Sequence, residues 1–251
     1  MTYRPFFHFV LLLGCVAAVR SFADEPQPVA RSLYIEGYAD QLGYAPGETV
    51  DLHVSTTAPK WSLEIARLGA KTEAAFSKQD LAGAAYPVPA NASSHGCGWP
   101  SAFSFKIPQD WRSGYYEATL RVADGGGEFT ERNRRTAESR LFFVVRAAEP
   151  GREAKILLQL ATNTYNAYNN WGGHSLYAFH ARNKLQGTRV SFNRPLAGQF
   201  RTWELPFIAW AERNGIALDY AVNSDLEFRP ELLKSYKLVL SVGHDEYWSS
   251  L

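Results

Sequence analysis

The chain has 251 residues, which is long enough for two modest domains, since a single core usually fills with about 100–150 residues. The formal net charge is +1, and the apolar and charged fractions are those of a soluble globular protein. We therefore expect no nucleic-acid partner, because such partners are bound by strongly basic surfaces.

The N-terminus has the features of an export signal. Arg4 supplies a weak positive charge, and the apolar run Phe6–Leu13 is followed by small residues. This run is shorter than the ~20 residues that span a bilayer, and we expect no transmembrane segment elsewhere. Residues 1–23 are therefore predicted to be a signal peptide, and the protein to be periplasmic or secreted. The alternative is a lipoprotein anchored at Cys15, because the four residues that end there resemble a lipobox.

Residues 32–146 are predicted to form an antiparallel β-sandwich. Apolar and polar side chains alternate with a period of two, which is typical of strands with one face on a core. Turn signals separate these short strands. The segment from Lys71 to Trp99 breaks the alternation, and we expect a long loop there. The apolar members of the alternation are Val50, Leu52, Val54, Trp61, Leu63, Ile65, Phe103, Phe105, Ile107, Tyr116, Ala118, Leu120 and Val122, with 141–145 as a last, buried strand.

Cys97 is the thiol that remains once the signal peptide is removed. A lone cysteine in an exported protein cannot form an internal disulfide. It lies in a stretch rich in glycine and proline, two residues after His95. Two interpretations stay open: a reactive thiol or ligand beside His95, or a buried small residue in a turn.

The pattern changes after a linker at residues 147–154. Over residues 155–251, strand-like and helix-like segments alternate, which predicts a parallel sheet of the doubly wound α/β kind. We also expect that the sequence stops inside this domain, because about four strands lack a closing element. In chain order the segments are the strand KILLQLA, the short strand RVSF, the helix TWELPFIAWAERNG, the strand IALDYAV, a short helix in DLEFRPELLKSY and the buried strand KLVLSV. The stripe expected to be buried on the long helix consists of Trp203, Phe207, Trp210 and Ala211.

Two polar clusters follow strands of this predicted sheet. Residues 159–178 are rich in asparagine and aromatic side chains, and residues 243–247 read Gly-His-Asp-Glu-Tyr. Ligands of open parallel sheets bind beyond the carboxyl ends of the strands. The second cluster could bind a metal, relay a proton or cap a following helix, and the residues alone leave these alternatives open. The motifs of serine, zinc and dinucleotide enzymes are absent from the sequence.

These clusters carry a resemblance to a known family. The stretches ATNTYNAYNNWGGHSLY, SFNRP and DLEFRPELLKSYKLVLSVGHDEYWS resemble the large (β) subunit of N,N-dimethylformamidase and its relatives. GYADQLGYAPGETVDLHVST, LEIARLG and SGYYEATL resemble the sandwich domain that precedes the catalytic domain in that family. The resemblance extends from about Leu33 to the end of the chain. The expected fold class is two domains, an antiparallel Ig-like β-sandwich followed by an incomplete, doubly wound α/β domain of the glutamine-amidotransferase-like type.

The resemblance implies a hydrolase that cleaves a linear amide C–N bond with water activated at a mononuclear iron, Fe³⁺. The family's iron is held by two tyrosines and a glutamate, which implies Tyr165 and Glu246 as ligands. Tyr116 is the best match for the other tyrosine, with the adjacent Tyr115 as an alternative. Phenolate and carboxylate are hard, anionic donors that suit Fe³⁺. The resemblance further implies a small-molecule amide substrate, and a small partner subunit or a homo-oligomer.

Further residues of the two clusters receive expected roles. His244 or Asp245 could carry the proton to the leaving amine. Without the resemblance, a core tyrosine is the more common interpretation of Tyr116, because it shares a strand face with apolar residues. The residues expected to bind or orient the amide are Asn163, Asn166, Asn169, Asn170 and Trp171.

Two rival functions remain open at this point. The first is a non-catalytic exported protein that binds a glycan or another ligand, because export, a β-sandwich and an aromatic-rich loop suit such a binder. The second is a hydrolase that uses His244 and Asp245 without a metal. Bound iron would separate both rivals from the iron-dependent amidohydrolase.

Overall fold

The computed structural model describes residues 33–123, 136–180 and 184–249. The predicted signal peptide and Cys15 lie outside the described residues, so export and lipidation stay predictions. The described part is rich in β-structure and has few helices. No helix within it is both long enough and apolar enough to cross a membrane.

Strands dominate the first part of the chain, and strands alternate with helices in the second. The strands of the described part are β1 (Ile35–Ala39), β2 (Gly43–Tyr44), β3 (Thr49–Thr56), β4 (Lys60–Leu68), β5 (Thr72–Ala82), β6 (Phe103–Lys106), β7 (Gly114–Ala123), β8 (Thr136–Val145), β9 (Ile156–Leu160), β10 (Asp219–Val222) and β11 (Leu238–Ser241). The helices are α1 (Ala92–His95), α2 (Thr162–Tyr168), α3 (Glu204–Arg213) and α4 (Asn223–Phe228), with 3₁₀ turns at Ala178–His180 and Pro230–Ser235.

Two sheets enclose the first core. One has the order β1-β3-β6, and the other has the order β2-β8-β7-β4-β5. Their described pairs are antiparallel except for the short β2–β8 pair. The predicted alternation is confirmed on β3, where Val50, Leu52 and Val54 are buried and the residues between them are half-exposed. Each such side chain stabilises the fold by about 1.5–3 kcal/mol.

The predicted loop from Lys71 to Trp99 is wrong over its first part. β5 lies there and pairs antiparallel with β4. Because β5 is an edge strand and mostly exposed, its sequence lacks the regular alternation of a strand that lies on a core. Phe76 and Leu81 are among its few side chains that pack against the core. Residues 83–99 contain no strand and hold the short α1.

The three strands of the second part form a parallel sheet in the order β10-β9-β11. Leu157 of β9 pairs with Asp219 of β10 and with Val239 of β11, so the three carboxyl ends lie at the same edge. β9 is almost entirely buried, as expected for the central strand of a parallel sheet. This order brings the segments that follow β9 and β11 side by side.

Two strand predictions in this part need correction. Residues 189–192, RVSF, form no strand, because they pair with no neighbouring strand that could satisfy their backbone groups. β11 exists as predicted but is not buried: Leu238 and Val239 are 47% and 41% exposed. The reason is that β11 forms an edge of its sheet in the described part.

The buried face of α3 differs from the predicted stripe. Ala211 is buried as expected, but Trp203 and Trp210 are 47% and 51% exposed. Ile208 is buried in the apolar cluster, and the predicted Phe207 packs half-buried against it. The helix also buries Glu204, a polar residue that a hydrophobic pattern assigns to the solvent side.

One apolar cluster joins the five-stranded sheet to the second part. Tyr115 of β7 stacks on Phe200 with 3.6 Å between the ring centroids. Phe142 of β8 contacts Tyr165 of α2 edge to face, with the centroids 5.9 Å apart. The same cluster includes residues of β9, β10 and α3. The segment after β9 is therefore packed directly on the outer face of this sheet.

Candidate functional site

The two polar clusters meet at the carboxyl ends of β9 and β11. α2 follows β9, and residues 242–247 follow β11. The hydroxyl oxygen of Thr164 on α2 accepts hydrogen bonds from the backbone N–H groups of Glu246, at 2.9 Å, and Tyr247, at 3.1 Å. A single threonine side chain therefore ties the second cluster to the first.

Gly243 forms the turn that presents the second cluster. Its φ is +88°, a backbone conformation that residues with a side chain rarely adopt. A Cβ added at this position would lie 2.4 Å from Cβ of Trp203. Glycine is therefore required both by the backbone conformation and by the close approach of α3.

Tyr168, His244 and Glu246 meet at one oxygen atom. The Tyr168 hydroxyl donates a hydrogen bond to Oε2 of Glu246 at 2.6 Å, and Nε2 of His244 lies 2.8 Å from the same oxygen. The rings of Tyr168 and His244 are in edge-to-face contact, with centroids 5.3 Å apart. The side chains of His244 and Glu246 are 40% and 45% exposed, so a small molecule can reach them.

Aromatic rings surround Tyr168 on its other sides. The Tyr177 ring lies 4.8 Å away, the His180 ring 5.4 Å away and the Tyr247 ring 6.2 Å away, each measured between centroids. These contacts bring the 3₁₀ turn Ala178–His180 to the strand ends. The result is an aromatic wall beside the Tyr168–Glu246 hydrogen bond.

The Tyr168 phenol is a proton donor in this arrangement. Its hydrogen bond to the Glu246 carboxylate, aided by partial burial, raises the pKa of Tyr168 well above that of a free tyrosine. Burial and the Glu246 charge also raise the pKa of Tyr247. Both hydroxyls are therefore protonated at neutral pH, and a bound cation would be needed to make Tyr168 a phenolate.

Tyr165 lies behind this group, inside the apolar cluster. It is 1% exposed, and its hydroxyl donates a hydrogen bond to Glu204 at the start of α3. Burial raises the pKa of Tyr165 and also that of Glu204. Among the described residues, the structure therefore pairs Tyr165 with Glu204, and it pairs Tyr168 with Glu246.

Two carboxylate oxygens near Tyr165 lack a described partner. Oε2 of Glu204 and Oδ1 of Asp245 are buried and accept no hydrogen bond from another described group. The other oxygen of Asp245 accepts a hydrogen bond from the Ser241 hydroxyl at 2.6 Å. Both oxygens of Asp245 are thus constrained, one by burial and the other by Ser241, whereas the His244 side chain is 40% exposed.

The predicted asparagines differ in what they bind. The side-chain oxygen of Asn166 accepts from Arg194, and the side chain of Asn169 donates to Pro195 and accepts from the backbone of Trp171. Both side chains therefore hold their own segment together.

The side chains of Asn170 and Asn163 form fewer hydrogen bonds, whereas that of Trp171 is held by two contacts. Asn170 donates to the carbonyl of His180 at 2.7 Å, and its amide oxygen has no partner among the described groups. The side chain of Asn163 forms no hydrogen bond with a described group, although its backbone N–H donates to Asn223. Trp171 packs edge to face on Trp99 and donates to Glu36, so it anchors the segment.

The structure does not bring Tyr116 to Glu246. Tyr116 belongs to the core between the two sheets, where its ring stacks on Trp111 with centroids 4.5 Å apart. Its hydroxyl donates to the Arg112 carbonyl at 2.8 Å, and burial raises the pKa of Tyr116 to about 12. The adjacent Tyr115 faces the opposite side of the strand and lies in the apolar cluster with Tyr165.

Cys97 is buried in a separate cluster with Trp99 and Tyr38. Burial raises the pKa of Cys97 to about 12, so its thiolate is scarce at neutral pH. His95 contacts Ser94 through Nδ1. The structure favours the interpretation of Cys97 as a buried small residue.

Sequence reasoning missed Tyr168 and Glu204. Tyr168 lies in the same motif as Tyr165, and the motif contains no signal that tells which tyrosine reaches the second cluster. Glu204 opens α3 and is buried through its contact with Tyr165, 39 residues earlier, which no local pattern reveals.

The donors at the strand ends fit a hard metal ion. Among the described residues, no group of three or more His, Cys, Asp and Glu side chains is placed to hold a metal. A site that includes a tyrosine has a different composition: Tyr168 and Glu246 offer oxygens, and the Tyr168 hydroxyl lies 2.6 Å from Oε2 of Glu246. Such a set suits Fe³⁺ and lacks the thiolates typical of structural zinc sites.

Comparisons with known proteins agree in pointing to one family. The family model described as N,N-dimethylformamidase beta subunit-like, C-terminal, matches residues 62–251. The N,N-dimethylformamidase beta subunit of an Alcaligenes species is 26% identical, and the match covers 60% of this chain and 24% of that protein. The chain thus spans about a quarter of the length of this curated relative.

A solved structure gives a much weaker likeness. The sporulation control protein Spo0M from Bacillus subtilis is 15% identical, with a TM-score of 0.30, over 48% of this chain and 51% of that chain. A likeness at this TM-score informs neither the fold nor the function.

Proposed function

Because the chain belongs to the N,N-dimethylformamidase beta subunit-like family, we propose that it acts as an amidohydrolase on the C–N bond of a small linear amide. The observation that carries this proposal is the meeting of Tyr168, His244 and Glu246 at one oxygen. This meeting point lies at the carboxyl ends of parallel strands, where open α/β sheets bind their ligands.

Within this proposal, Tyr168 and Glu246 would hold iron as Fe³⁺, and His244 would remain unligated beside them. Tyr168 takes the place expected for Tyr165, because the Tyr165 hydroxyl is buried and already donates to Glu204. When bound, the ion would polarise the amide carbonyl and lower the pKa of water. The phenol proton of Tyr168 would leave on metal binding, so iron affinity should rise with pH.

The chain's own side chains supply the remaining chemistry. Nε2 of His244 lies on the open side of Glu246 and is placed to pass a proton to the leaving amine. Asp245 is the weaker candidate for this role, because one of its oxygens is bound by Ser241 and the other is buried. The free amide oxygen of Asn170 could accept from a substrate N–H group.

The finer assignments of fold and location belong to the same proposal. Residues 32–146 form an Ig-like sandwich, and residues 147–154 link it to a glutamine-amidotransferase-like domain at 155–251. Two mainly antiparallel sheets and a separate parallel sheet support this division. The chain is exported and works as a homo-oligomer or with a small partner subunit, in keeping with the word subunit in the name of its relative.

The test is elemental analysis of the purified protein, together with its visible spectrum. We expect one iron per chain and a tyrosinate-to-Fe³⁺ charge-transfer band. Tyr168→Phe should abolish the band and lower amide hydrolysis roughly a hundredfold or more, because it removes a ligand. Tyr165→Phe and Tyr116→Phe are matched controls that should keep the band.

The alternatives give different results in the same experiment. A band that disappears in Tyr165→Phe but stays in Tyr168→Phe would reinstate Tyr165 as the ligand. Hydrolysis that persists without iron and resists chelators would identify a metal-free hydrolase. Protein without iron and without hydrolysis would favour a non-catalytic, exported glycan- or ligand-binding protein.

A further inference from the structure

Arg194 is a buried cation without a carboxylate partner in the part of the chain that the structure describes. Its exposed fraction is 0%, and none of the ion pairs among the described residues includes it. Burial lowers the pKa of Arg194 to about 10. An enclosed charge is costly unless hydrogen bonds compensate for the lost water, so the bonds of this guanidinium need an explanation.

Most hydrogen bonds of the Arg194 side chain go to one short segment. Nη1 donates to the carbonyls of Asn169, at 3.1 Å, and Trp171, at 2.6 Å. Nη2 donates to the carbonyl and the side-chain oxygen of Asn166, at 3.3 and 3.0 Å. Nε donates to the Ser191 carbonyl at 2.8 Å. Four of these five acceptors belong to residues 166–171.

This segment is the carboxyl end of α2 and the turn that follows it. The last carbonyls of a helix have no partner within the helix and must be satisfied by other groups. Arg194 donates to the carbonyl of Asn169 and adds a second donor to the carbonyl of Asn166, which also accepts from the Asn169 N–H at 3.2 Å. These two residues lie on either side of Tyr168 in the chain. A further bond has its donor in the clamped segment: the side chain of Asn169 donates to the carbonyl of Pro195 at 2.9 Å.

We propose that Arg194 is a positioning residue that clamps residues 166–171 and thereby sets the Tyr168 hydroxyl against Glu246. Its contribution to catalysis rests on the proposed function, whereas its effect on the position of Tyr168 does not. A lysine could not replace it, because an ammonium group lacks the planar fork that reaches several carbonyls at once.

The test compares Arg194→Lys and Arg194→Met with the wild type. Arg201→Lys and Arg201→Met are the matched controls, because Arg201 is an exposed arginine whose partner is Glu117. Three quantities are measured: backbone hydrogen exchange, the NMR signal of the ring-labelled Tyr168, and the charge-transfer band of the iron-loaded protein. The NMR signal is assigned with Tyr168→Phe.

We expect Arg194→Lys to speed exchange of the amides in 166–173 roughly tenfold, the effect of losing one or two hydrogen bonds. Exchange in β9 should stay unchanged. The Tyr168 ring signal should shift as its contacts with His244 and Tyr177 loosen, and iron affinity should fall roughly tenfold. The Arg201 variants should match the wild type in all three measurements.

Several results would overturn the proposal. Unchanged exchange in 166–173 would mean that Arg194 does not clamp the segment. Faster exchange in β9 as well would make Arg194 a general stabilising residue. Faster exchange in 166–173 with an unchanged Tyr168 ring signal would mean that Arg194 holds the segment but does not position Tyr168. A wild type that binds no iron would refute the proposed function, and exchange and the ring signal would still decide the role of Arg194.

Discussion

Glu204 is a carboxyl group placed among apolar side chains, and its protonation couples the fold to pH. It is 1% exposed, and burial raises its pKa above the 4.5 of an ordinary glutamate, although the Tyr165 hydrogen bond acts in the opposite direction. A carboxyl group with a raised pKa stabilises the fold in its protonated form. This contribution is complete below the pKa of the unfolded chain and is lost as pH rises through the raised value.

The Glu204→Gln variant tests this coupling, because glutamine keeps an acceptor for Tyr165 and does not titrate. Relative to the wild type, it should gain stability as pH rises above the ordinary glutamate range, by about 1.4 kcal/mol for each unit of pKa shift removed. Urea denaturation at a series of pH values measures the difference. Glu64→Gln, at an exposed position, is the control. A pH dependence equal to that of the wild type would mean that folding does not raise the pKa of Glu204.

At the scale of single elements, the buried face of α3 differs from the face that its hydrophobic pattern predicts. Ile208 is completely buried, whereas the larger Trp210 is 51% exposed. Phe207 packs half-buried against the apolar cluster, and its ring centroid lies 5.9 Å from that of the exposed Trp210. The contribution of each residue to stability should follow burial rather than size.

We therefore expect Ile208→Ala to lower the free energy of unfolding by about 2–5 kcal/mol, because it leaves a cavity in the apolar cluster. Trp210→Ala should cost about 1 kcal/mol or less, because half of the side chain is already in water. Urea denaturation of the two variants decides between the observed face and the stripe predicted from sequence. Equal losses would favour the predicted stripe.

On the scale of the whole molecule, the decisive feature is that the sheets and the strand-end site share one apolar cluster. The Tyr115–Phe200 stack and the Phe142–Tyr165 contact lie between the five-stranded sheet and the segment that carries the site. Disturbing this cluster should therefore affect the five-stranded sheet and the strand-end residues together.

Phe200→Ala should lower the free energy of unfolding by about 3–5 kcal/mol, whereas Phe228→Ala, at a position 68% exposed, should change it little. In the wild type, circular dichroism and tryptophan fluorescence should follow the same single transition, because the two parts share this core. Two separated transitions would mean that the parts unfold independently.

Much of the fold follows from local pattern. The alternation on β3, β4 and β7, and the apolar run of β9, identify strands because their faces meet a core on one or both sides. β5 could not be predicted in this way, because an edge strand that is exposed along most of its length lacks the alternation of apolar and polar residues. RVSF has the composition of a strand but joins none of the described sheets, and pairing is a property of the whole sheet.

The sequence by itself determined that two polar clusters lie at the ends of β9 and β11, because both clusters directly follow apolar strands. Only the tertiary structure decided that Tyr168 rather than Tyr165 reaches Glu246, across 78 residues of chain, and that Tyr165 pairs with Glu204. The physical reason is how far apart in the sequence the interacting residues lie. Strand periodicity and strand ends are local properties, whereas hydrogen-bond partners depend on how distant segments pack around Arg194 and the shared apolar cluster.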